Sequence, residues 1–480
     1  MRILLLILCC HLLLSACSDQ QGADHGPDVV PADYAIVDVT AITMTEAGVL
    51  EHVTIFVDGG EILRVASISE AIPTDDTPVI DGKNRYVIPG LADMHVHVRH
   101  SDLLPLFAAK GVTFVRDMWG SSGRQAMRDQ IATGTLFAPL MIVAGPGIDG
   151  DPATFPGNPT ATTASDATSL VAEQIDAGYD FIKVYDRVSP EVFRAVIAAG
   201  SERGVAVTGH APFSGSYEDA VVSGIDSLEH LQGFVFASAR DEVGIAHSIN
   251  PSTEYPKLFA ALQATLASGG AVSDVFDGEK IERLARLNAD QGVYNTPTLI
   301  ALLKVNTPSD EWPLEFARNE MKFVHPEVLD MWRPENNFRF GFLQDQQLKG
   351  IRSLQAQARS AVGALNRAGA KLLLGTDTPE AFVVPGYSAH QELVELTKAG
   401  LTPLEALATA TTNAAEFLGQ TGQFGVIAAG ARADIVLLNG NPMDDIKNTE
   451  EIDGVMIRGT WYSDHDIQLK LNELANQFAR

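Results

Sequence analysis

Cysteine is nearly absent from this chain of 480 residues: it occurs at Cys9, Cys10 and Cys17 and nowhere after them. If the chain is cut before Cys17, one cysteine remains and an intramolecular disulfide is excluded. Positive charge is also scarce, since 34 lysine and arginine residues stand against 61 acidic ones and give a formal net charge of -27. A surface this acidic repels nucleic-acid phosphates and anionic lipid headgroups, so we expect no nucleic-acid partner.

The first residues are typical of a targeting segment. Arg2 supplies a positive start, and the apolar run Ile3–Leu14 suits a signal peptide but is too short for a transmembrane helix of about 20 residues. The run ends in Leu14-Ser15-Ala16-Cys17, which resembles the bacterial lipobox, where the chain is cut before the cysteine and lipid is attached to its thiol. The alternative is an ordinary signal peptide with an incidental cysteine.

The lipobox interpretation predicts a signal peptide over residues 1–16, lipidation at Cys17 and a flexible tether over residues 17–31. Ser18 follows the cysteine, and this resembles the sorting pattern of lipoproteins directed to the outer membrane of Gram-negative cells. We therefore expect a protein of the cell envelope that faces the periplasm and meets the membrane only through its N-terminal lipid anchor.

Two β-rich stretches flank a long middle segment of the chain. Residues 32–86 and 422–480 hold short strand-like runs separated by glycine and proline, and neither stretch has enough strands for a core of its own. We expect them to form one β-sandwich domain built from both ends of the chain, with residues 87–421 inserted between them.

The middle segment alternates apolar strand-like runs with helical stretches. Repeated strand–helix units predict parallel strands, and eight of them predict a (β/α)8 TIM barrel. The predicted fold class is therefore α/β, with a TIM barrel and a flanking β-sandwich domain. The eight predicted strands are Val87–His97, Val112–Met118, Leu140–Ala144, Phe181–Tyr185, Val205–His210, Ile225–His230, Val293–Leu299 and Lys371–Asp377.

Side chains able to bind a metal stand at the ends of these strands. His95 and His97 lie two apart on the first strand, so both imidazoles point to the same side and can bind one ion. Taken alone, the pair has an alternative interpretation as polar residues satisfied at a strand end. In TIM barrels, however, the C-terminal strand ends converge on one site. Other strand ends carry Lys183, His210, His230 and Asp377.

These motifs together resemble the amidohydrolase superfamily over almost the whole chain. Its opening strand is similar to Val87-Ile88-Pro89-Gly90-Leu91-Ala92-Asp93-Met94-His95-Val96-His97. The later motifs follow in the order of that family: Ile182-Lys183-Val184-Tyr185, Gly209-His210-Ala211, Leu228-Glu229-His230-Leu231 and Gly375-Thr376-Asp377-Thr378. The return into the flanking domain resembles Gly425-Val426-Ile427-Ala428-Ala429-Gly430. Within the superfamily, the pattern is most similar to imidazolonepropionase-related and Xaa-Pro dipeptidase-like members with two metal ions.

The resemblance implies two divalent metal ions, usually zinc. It assigns His95, His97 and Asp377 to the buried ion, and His210 and His230 to the second. It further implies that carbon dioxide carboxylates Lys183, giving a carbamate that bridges both ions. The alternative for Lys183 is an unmodified amine paired with a carboxylate, which leaves a one-metal site.

The resemblance also implies a reaction. A hydroxide held between the ions attacks the substrate carbonyl, and Asp377 takes its proton and passes it to the leaving group. Two residues are candidate substrate contacts. Tyr185 shares the strand face of Lys183, so its hydroxyl either reaches the cavity or packs. His390 follows the last predicted strand and either reaches the site or lies on a helix facing solvent or core.

We therefore predict a metal-dependent hydrolase that cleaves amide C–N bonds in small molecules: a dipeptide, an N-acyl amino acid or a cyclic amide. The alternative is ester, lactone or phosphotriester hydrolysis at the same site. A second alternative is a lipid-anchored binding protein without catalysis, against which the full set of six ligands argues. The sequence leaves homo-oligomerisation open.

Overall fold

The computed structural model describes residues 27–244, 251–337 and 345–479. The predicted signal peptide, the lipidation site Cys17 and most of the predicted tether lie outside the described residues. At the end of that tether, Asp28–Val30 pair in parallel with Ala71–Pro73, so this part of the segment belongs to the fold rather than to a free linker. Within the described ranges, every helix is too short or too polar to cross a lipid bilayer.

Strands and helices alternate through the middle of the chain, as the sequence pattern predicts. The strands are β1 (Asp28–Val30), β2 (Tyr34–Ile42), β3 (Val49–Asp58), β4 (Glu61–Ser67), β5 (Ala71–Pro73), β6 (Val79–Asp81), β7 (Tyr86–Pro89), β8 (Leu91–Val96), β9 (Val112–Asp117), β10 (Leu140–Val143), β11 (Ile182–Val184), β12 (Val207–Gly209), β13 (Ser227–Glu229), β14 (Tyr294–Thr296), β15 (Ile435–Leu438), β16 (Ile452–Ile457) and β17 (Thr460–Ser463).

Helices follow the parallel strands along the chain, and α17 packs on β16 and β17. They are α1 (Leu104–Ala109), α2 (Ser122–Ala132), α3 (Ala164–Asp176), α4 (Pro190–Glu202), α5 (Tyr217–Val222), α6 (Gln232–Ala237), α7 (Pro251–Ala267), α8 (Gly278–Gln291), α9 (Leu299–Lys304), α10 (Trp312–Phe316), α11 (Pro326–Trp332), α12 (Asp345–Ser353), α13 (Gln355–Ala368), α14 (Tyr387–Lys398), α15 (Pro403–Thr409), α16 (Thr412–Phe417) and α17 (Asp464–Phe478). Short 3-10 helices lie at Ser101–Leu103, Asp241–Val243, Val272–Val275, Ser309–Glu311, Asn319–Phe323 and Ile446–Glu450.

Strands from both ends of the chain share one eight-stranded sheet, in the order β17-β16-β15-β7-β2-β3-β4 with β6 beside β2. Both ends of the chain therefore contribute strands to one β domain, and its ladders form a continuous sheet. Two register shifts interrupt β2, and Asp38, which lies within the first of them, has a φ of 60°. Such bulges bend a strand, which lets one sheet curve around its own core. Residues of that core include Ile36, Val57, Val87 and Leu437.

The predicted strand Val87–His97 is divided at Gly90. Its first part, β7, pairs with β15 in the eight-stranded sheet, and its second part, β8, pairs with β9. A side chain at position 90 is excluded, because an added Cβ would lie 2.2 Å from Thr113 Oγ1. Glycine therefore allows the chain to pass directly from the flanking sheet to the strand that carries His95.

The parallel strands form two sheets, β10-β9-β8 and β11-β12-β13-β14. An isolated parallel bridge from Ala144 to Phe181 joins the two sheets, and another from Asn295 to Leu372 joins β14 to the eighth predicted strand. The α/β class and the parallel strands agree with the prediction, but the described ladders do not close into a continuous eight-stranded barrel.

The interruption lies in the eighth predicted strand, Lys371–Asp377. Its backbone changes partner at nearly every residue: Leu373 N donates to Asn295 O, while Leu374 N donates to Thr409 O. At its end, Val96 and Thr378 form one further isolated bridge. Because no neighbour is kept for several residues, this segment is extended but forms no ladder.

Candidate metal centre

Strand β8 places two imidazoles beside Asp377. His95 is fully buried within the strand, and His97 follows its last residue on the same side. His97 Nε2 lies 3.0 Å from Asp377 Oδ1, and His95 Nε2 lies 3.4 Å from the same oxygen. The backbone links these segments as well, since Asp377 N donates to His95 O at 2.8 Å. Three predicted ligands are therefore brought together.

Asp377 is held in an unusual backbone conformation. Its φ is 60°, in the left-handed region that non-glycine residues seldom adopt and that recurs at functional sites. Buried Asp93 supports this turn, because it accepts bonds from Thr376 N at 3.0 Å and Thr376 Oγ1 at 2.6 Å. Asp93, from the same motif as His95, thus positions Asp377, the last predicted ligand in the chain.

The other three predicted ligands, Lys183, His210 and His230, lie next to this first group of three. His230, also with a positive φ of 67°, has its ring 4.5 Å from that of His95 and 5.0 Å from that of His210. Lys183 is buried, and its Nζ lies 3.4 Å from His210 Nε2. All six predicted ligands therefore lie in one connected cluster at the C-terminal ends of the parallel strands.

Each of three histidines is oriented by a hydrogen bond at Nδ1, and in His95 and His210 the Nε2 atom faces another predicted ligand. His95 Nδ1 contacts Glu229 Oε2 at 2.7 Å, and His210 Nδ1 contacts Asp186 Oδ1 at 2.7 Å. His230 Nδ1 contacts Thr298 Oγ1 at 2.8 Å. Partners of this kind fix the ring and tautomer of metal-binding histidines in proteins. None of these three partners was predicted from the sequence, although Glu229 and Asp186 stand next to or near predicted ligands.

Glu229 also forms a buried ion pair with Arg116 next to the cluster. Its Oε1 accepts a bond from Arg116 Nη2 at 2.9 Å, and both side chains are fully buried. Burial alone would raise the carboxyl pKa of Glu229, but the charges of Arg116 and Lys183 outweigh it and hold the pKa below its usual value. An ionised Glu229 therefore accepts from His95 and Arg116 at once.

The protonation states of the cluster suit a metal. Burial lowers the pKa of His95, His97 and His210 well below the usual range, and that of His230 to about 3. These imidazoles are consequently neutral, which is the form that binds metals. Burial also lowers the pKa of Lys183 to about 8, which increases the share of neutral amine near pH 7.

The residues fit a divalent ion on geometric grounds too. One ligand atom each from His95, His230 and Asp377 lies within 4.8 Å of the others. His95 Nε2 is buried and, within the part of the chain that the structure describes, makes no hydrogen bond. A buried nitrogen without a hydrogen bond costs free energy unless a ligand satisfies it. Lys183 Nζ contacts His210 Nε2, and the charges of Glu229, Asp377 and Asp186 act on this amine from nearby.

The two predicted substrate contacts have different surroundings. The ring of Tyr185 lies 4.5 Å from that of His210, at the edge of the cluster. His390 is buried in α14, where its Nδ1 contacts Thr449 Oγ1 and its Nε2 contacts Lys110 O, both at 2.9 Å. Because both ring nitrogens are used in helix packing, His390 corresponds to the core interpretation and not to a substrate contact.

Several known proteins resemble this chain in sequence or in structure. An ochratoxinase from Aspergillus niger is 39% identical over 184 residues, which are 36% of this chain and 37% of that protein. The match thus spans well under two thirds of the relative's length. Among solved structures, bottromycin amidohydrolase is 25% identical, with a TM-score of 0.70 over 92% of this chain and 90% of that one.

A Xaa-Pro dipeptidase solved with bound methionine shares the fold at 21% identity, with a TM-score of 0.63 over 90% of this chain and 99% of that one. The sequence pattern of the amidohydrolase family matches residues 86–462. That span contains all six clustered ligands, from His95 to Asp377, and we conclude that the chain belongs to the amidohydrolase family.

Proposed function

We propose that this protein is a metal-dependent hydrolase that cleaves amide C–N bonds in small molecules. The observation that carries the proposal is the convergence of His95, His230 and Asp377 around a buried His95 Nε2 that lacks a hydrogen bond. The family name and that of the bottromycin amidohydrolase support an amide as the bond that is cleaved.

The ligand assignment follows the two sides of the cluster. His95, His97 and Asp377 would hold one divalent ion, most simply zinc, and His210 and His230 a second. Lys183, as a carbamate formed with carbon dioxide, would lie between them. Bound ions of this kind lower the pKa of water and polarise a carbonyl.

The protein's own groups supply the proton transfers. Asp377 lies at the rim of the cluster, with 15% of its side chain exposed, so its carboxylate can reach both water and a bound substrate. It would accept a proton from the attacking water and donate it to the amide nitrogen that leaves. The hydrogen bonds that His95, His210 and His230 make with Glu229, Asp186 and Thr298 hold the imidazoles in place during this transfer.

The decisive experiment combines metal analysis with a substrate screen. Purified protein is loaded with zinc, and its metal content is compared with hydrolysis of dipeptides, N-acyl amino acids, cyclic amides, esters, lactones and a phosphotriester. We expect close to two ions per chain and amide cleavage that a chelator abolishes. Preference for esters, lactones or the phosphotriester would replace the amide proposal. Fewer than one ion and no turnover would favour a binding protein without catalysis.

Lys183 offers a test of the second ion. We expect Lys183→Ala to retain one ion and lose the other, because it removes the group placed between the two sides of the cluster. Plasma emission spectrometry gives the stoichiometry, and added formate should restore part of it. Lys371→Ala is the matched control, since that lysine pairs with Glu416 at the surface. An unchanged stoichiometry in Lys183→Ala would eliminate the carbamate.

We also propose that lipid on Cys17 anchors the protein in the cell envelope. Cys17→Ser should move the protein from the membrane fraction to the soluble fraction and abolish labelling by a radioactive fatty acid. Cys10→Ser, inside the predicted signal peptide, should leave both unchanged. Lipid labelling that persists in Cys17→Ser would contradict the anchor.

A further inference from the structure

Three aromatic side chains, Trp119, Phe155 and Tyr185, contact one another beside His97 and His210 of the candidate metal centre. Trp119 lies 5.3 Å from Phe155 and 5.6 Å from Tyr185, and Phe155 lies 5.8 Å from Tyr185, measured between ring centroids. The interplanar angles of 86°, 83° and 69° make all three contacts edge-to-face, the arrangement that aromatic quadrupoles favour. We call this triangle the aromatic wall.

The aromatic wall adjoins the predicted ligands at two points. The ring of Trp119 lies 6.2 Å from that of His97, and the ring of Tyr185 lies 4.5 Å from that of His210. The wall therefore borders both sides of the cluster. Each of its three side chains is only half-buried, in a chain whose residues are 7% aromatic. Large apolar rings left partly open beside polar groups are typical of a ligand pocket.

A buried carboxylate fixes two members of the wall. Asp149 accepts a bond from Thr154 N at 2.6 Å, next to Phe155, and one from Arg187 N at 2.8 Å, two residues after Tyr185. Asp149 is fully buried, and the neighbouring backbone adds a bond from Tyr185 N to Ile148 O at 2.8 Å. The loop that carries Phe155 and the strand end that carries Tyr185 are thus joined by one residue.

A second buried carboxylate fixes Trp119. Asp117 accepts a bond from Trp119 N at 2.9 Å, and another from Val98 N at 2.7 Å in the segment that follows His97. The wall is consequently held in place from two independent strand ends. Side chains fixed before binding lose little conformational entropy when a ligand arrives, which strengthens binding.

We infer that the aromatic wall binds a planar aromatic group of the substrate next to the scissile amide. The reaction in this inference is the amide hydrolysis proposed above. The preference for an aromatic substrate rests on the aromatic wall alone. Rings in edge-to-face contact present apolar faces and edges that suit another flat ring better than a methyl group. Replacing methyl by phenyl in such a site is expected to improve kcat/KM by about 10- to 100-fold.

The test compares four amides that differ only in ring content: N-acetyl-alanine, N-benzoyl-alanine, N-acetyl-phenylalanine and N-benzoyl-phenylalanine. With zinc-loaded protein, kcat/KM for at least one aromatic compound should exceed that for N-acetyl-alanine by tenfold or more. Trp119→Ala should reduce this ratio about tenfold, and Trp119→Phe should restore most of it. Trp461→Ala, a change at the half-buried tryptophan of β17, should leave the ratio at the wild-type value.

A binding measurement separates this inference from the proposed function. Calorimetric titration of N-benzoyl-alanine and N-acetyl-alanine into Asp377→Asn, with and without Trp119→Ala, reports aromatic preference without turnover. Tighter binding of the benzoyl compound that depends on Trp119 supports the wall even if no amide is cleaved, in which case the proposed function fails. Equal binding and equal kcat/KM for all four amides would overturn the wall and leave amide hydrolysis standing.

Discussion

Asp377→Asn is expected to lower kcat by about a thousandfold or more while the fold stays intact. General acid–base catalysis by one residue contributes about 10²- to 10⁴-fold, and an amide can neither accept the proton nor return it. The substitution also replaces an anionic oxygen that lies 3.0 Å from His97 Nε2 and 3.4 Å from His95 Nε2. Loss of this charge is expected to weaken binding of the buried ion in addition.

Initial rates on the best amide of the screen, measured at saturating zinc, check this expectation. Saturating metal distinguishes lost proton transfer from lost affinity, and thermal unfolding verifies the fold. Asp166→Asn is the matched control, because that carboxylate caps α3 at the surface. A rate within tenfold of the wild type in Asp377→Asn would remove Asp377 from the proton transfer.

The cluster could be predicted because strand geometry is regular. Alternation places His95 and His97 on one side of β8, and parallel strands bring their C-terminal ends to one edge. The ends of β11, β12 and β13 therefore had to lie near His95, and the structure places Lys183, His210 and His230 there. Asp377 lies outside this rule, because its segment forms no ladder, and its assignment came from the resemblance of Gly375-Thr376-Asp377-Thr378 to the family motif.

The remaining features depend on contacts that no local pattern encodes. His390 follows the last strand in sequence, but the rotation of α14 directs it to Thr449 and Lys110. The segment Lys371–Asp377 has the composition of a strand, yet its partners Asn295 and Thr409 come from distant elements. The aromatic wall also depends on long-range contacts. Phe155 meets Trp119 because Asp149 fixes the loop that carries Phe155.

Glu229→Gln is the prediction that tests how the buried ligand is held. Glu229 accepts bonds from His95 Nδ1 at 2.7 Å, Arg116 Nη2 at 2.9 Å and Ser227 Oγ at 2.7 Å. Glutamine keeps one acceptor oxygen, turns the other into a donor and leaves the Arg116 charge buried without an anion. Breaking a buried pair in this way costs about 3–5 kcal/mol of unfolding free energy. Replacing the carboxylate partner of a metal-binding histidine by a neutral amide is expected to cost about 10- to 100-fold in metal affinity.

Two further variants separate the loss of fold stability caused by the unpaired Arg116 charge from the loss of zinc affinity caused at His95. Glu395→Gln is the control for stability: this buried glutamate pairs with Arg359, and its loss should destabilise the fold without changing zinc affinity. Combining Glu229→Gln with Arg116→Met removes the stranded cation, so urea unfolding should recover part of the lost free energy. Zinc affinity, measured by competition with a chromophoric chelator, should stay low in the double variant, because His95 Nδ1 still lacks its carboxylate. If the double variant instead regained wild-type affinity, Glu229 would act on the metal centre only through the charge of Arg116.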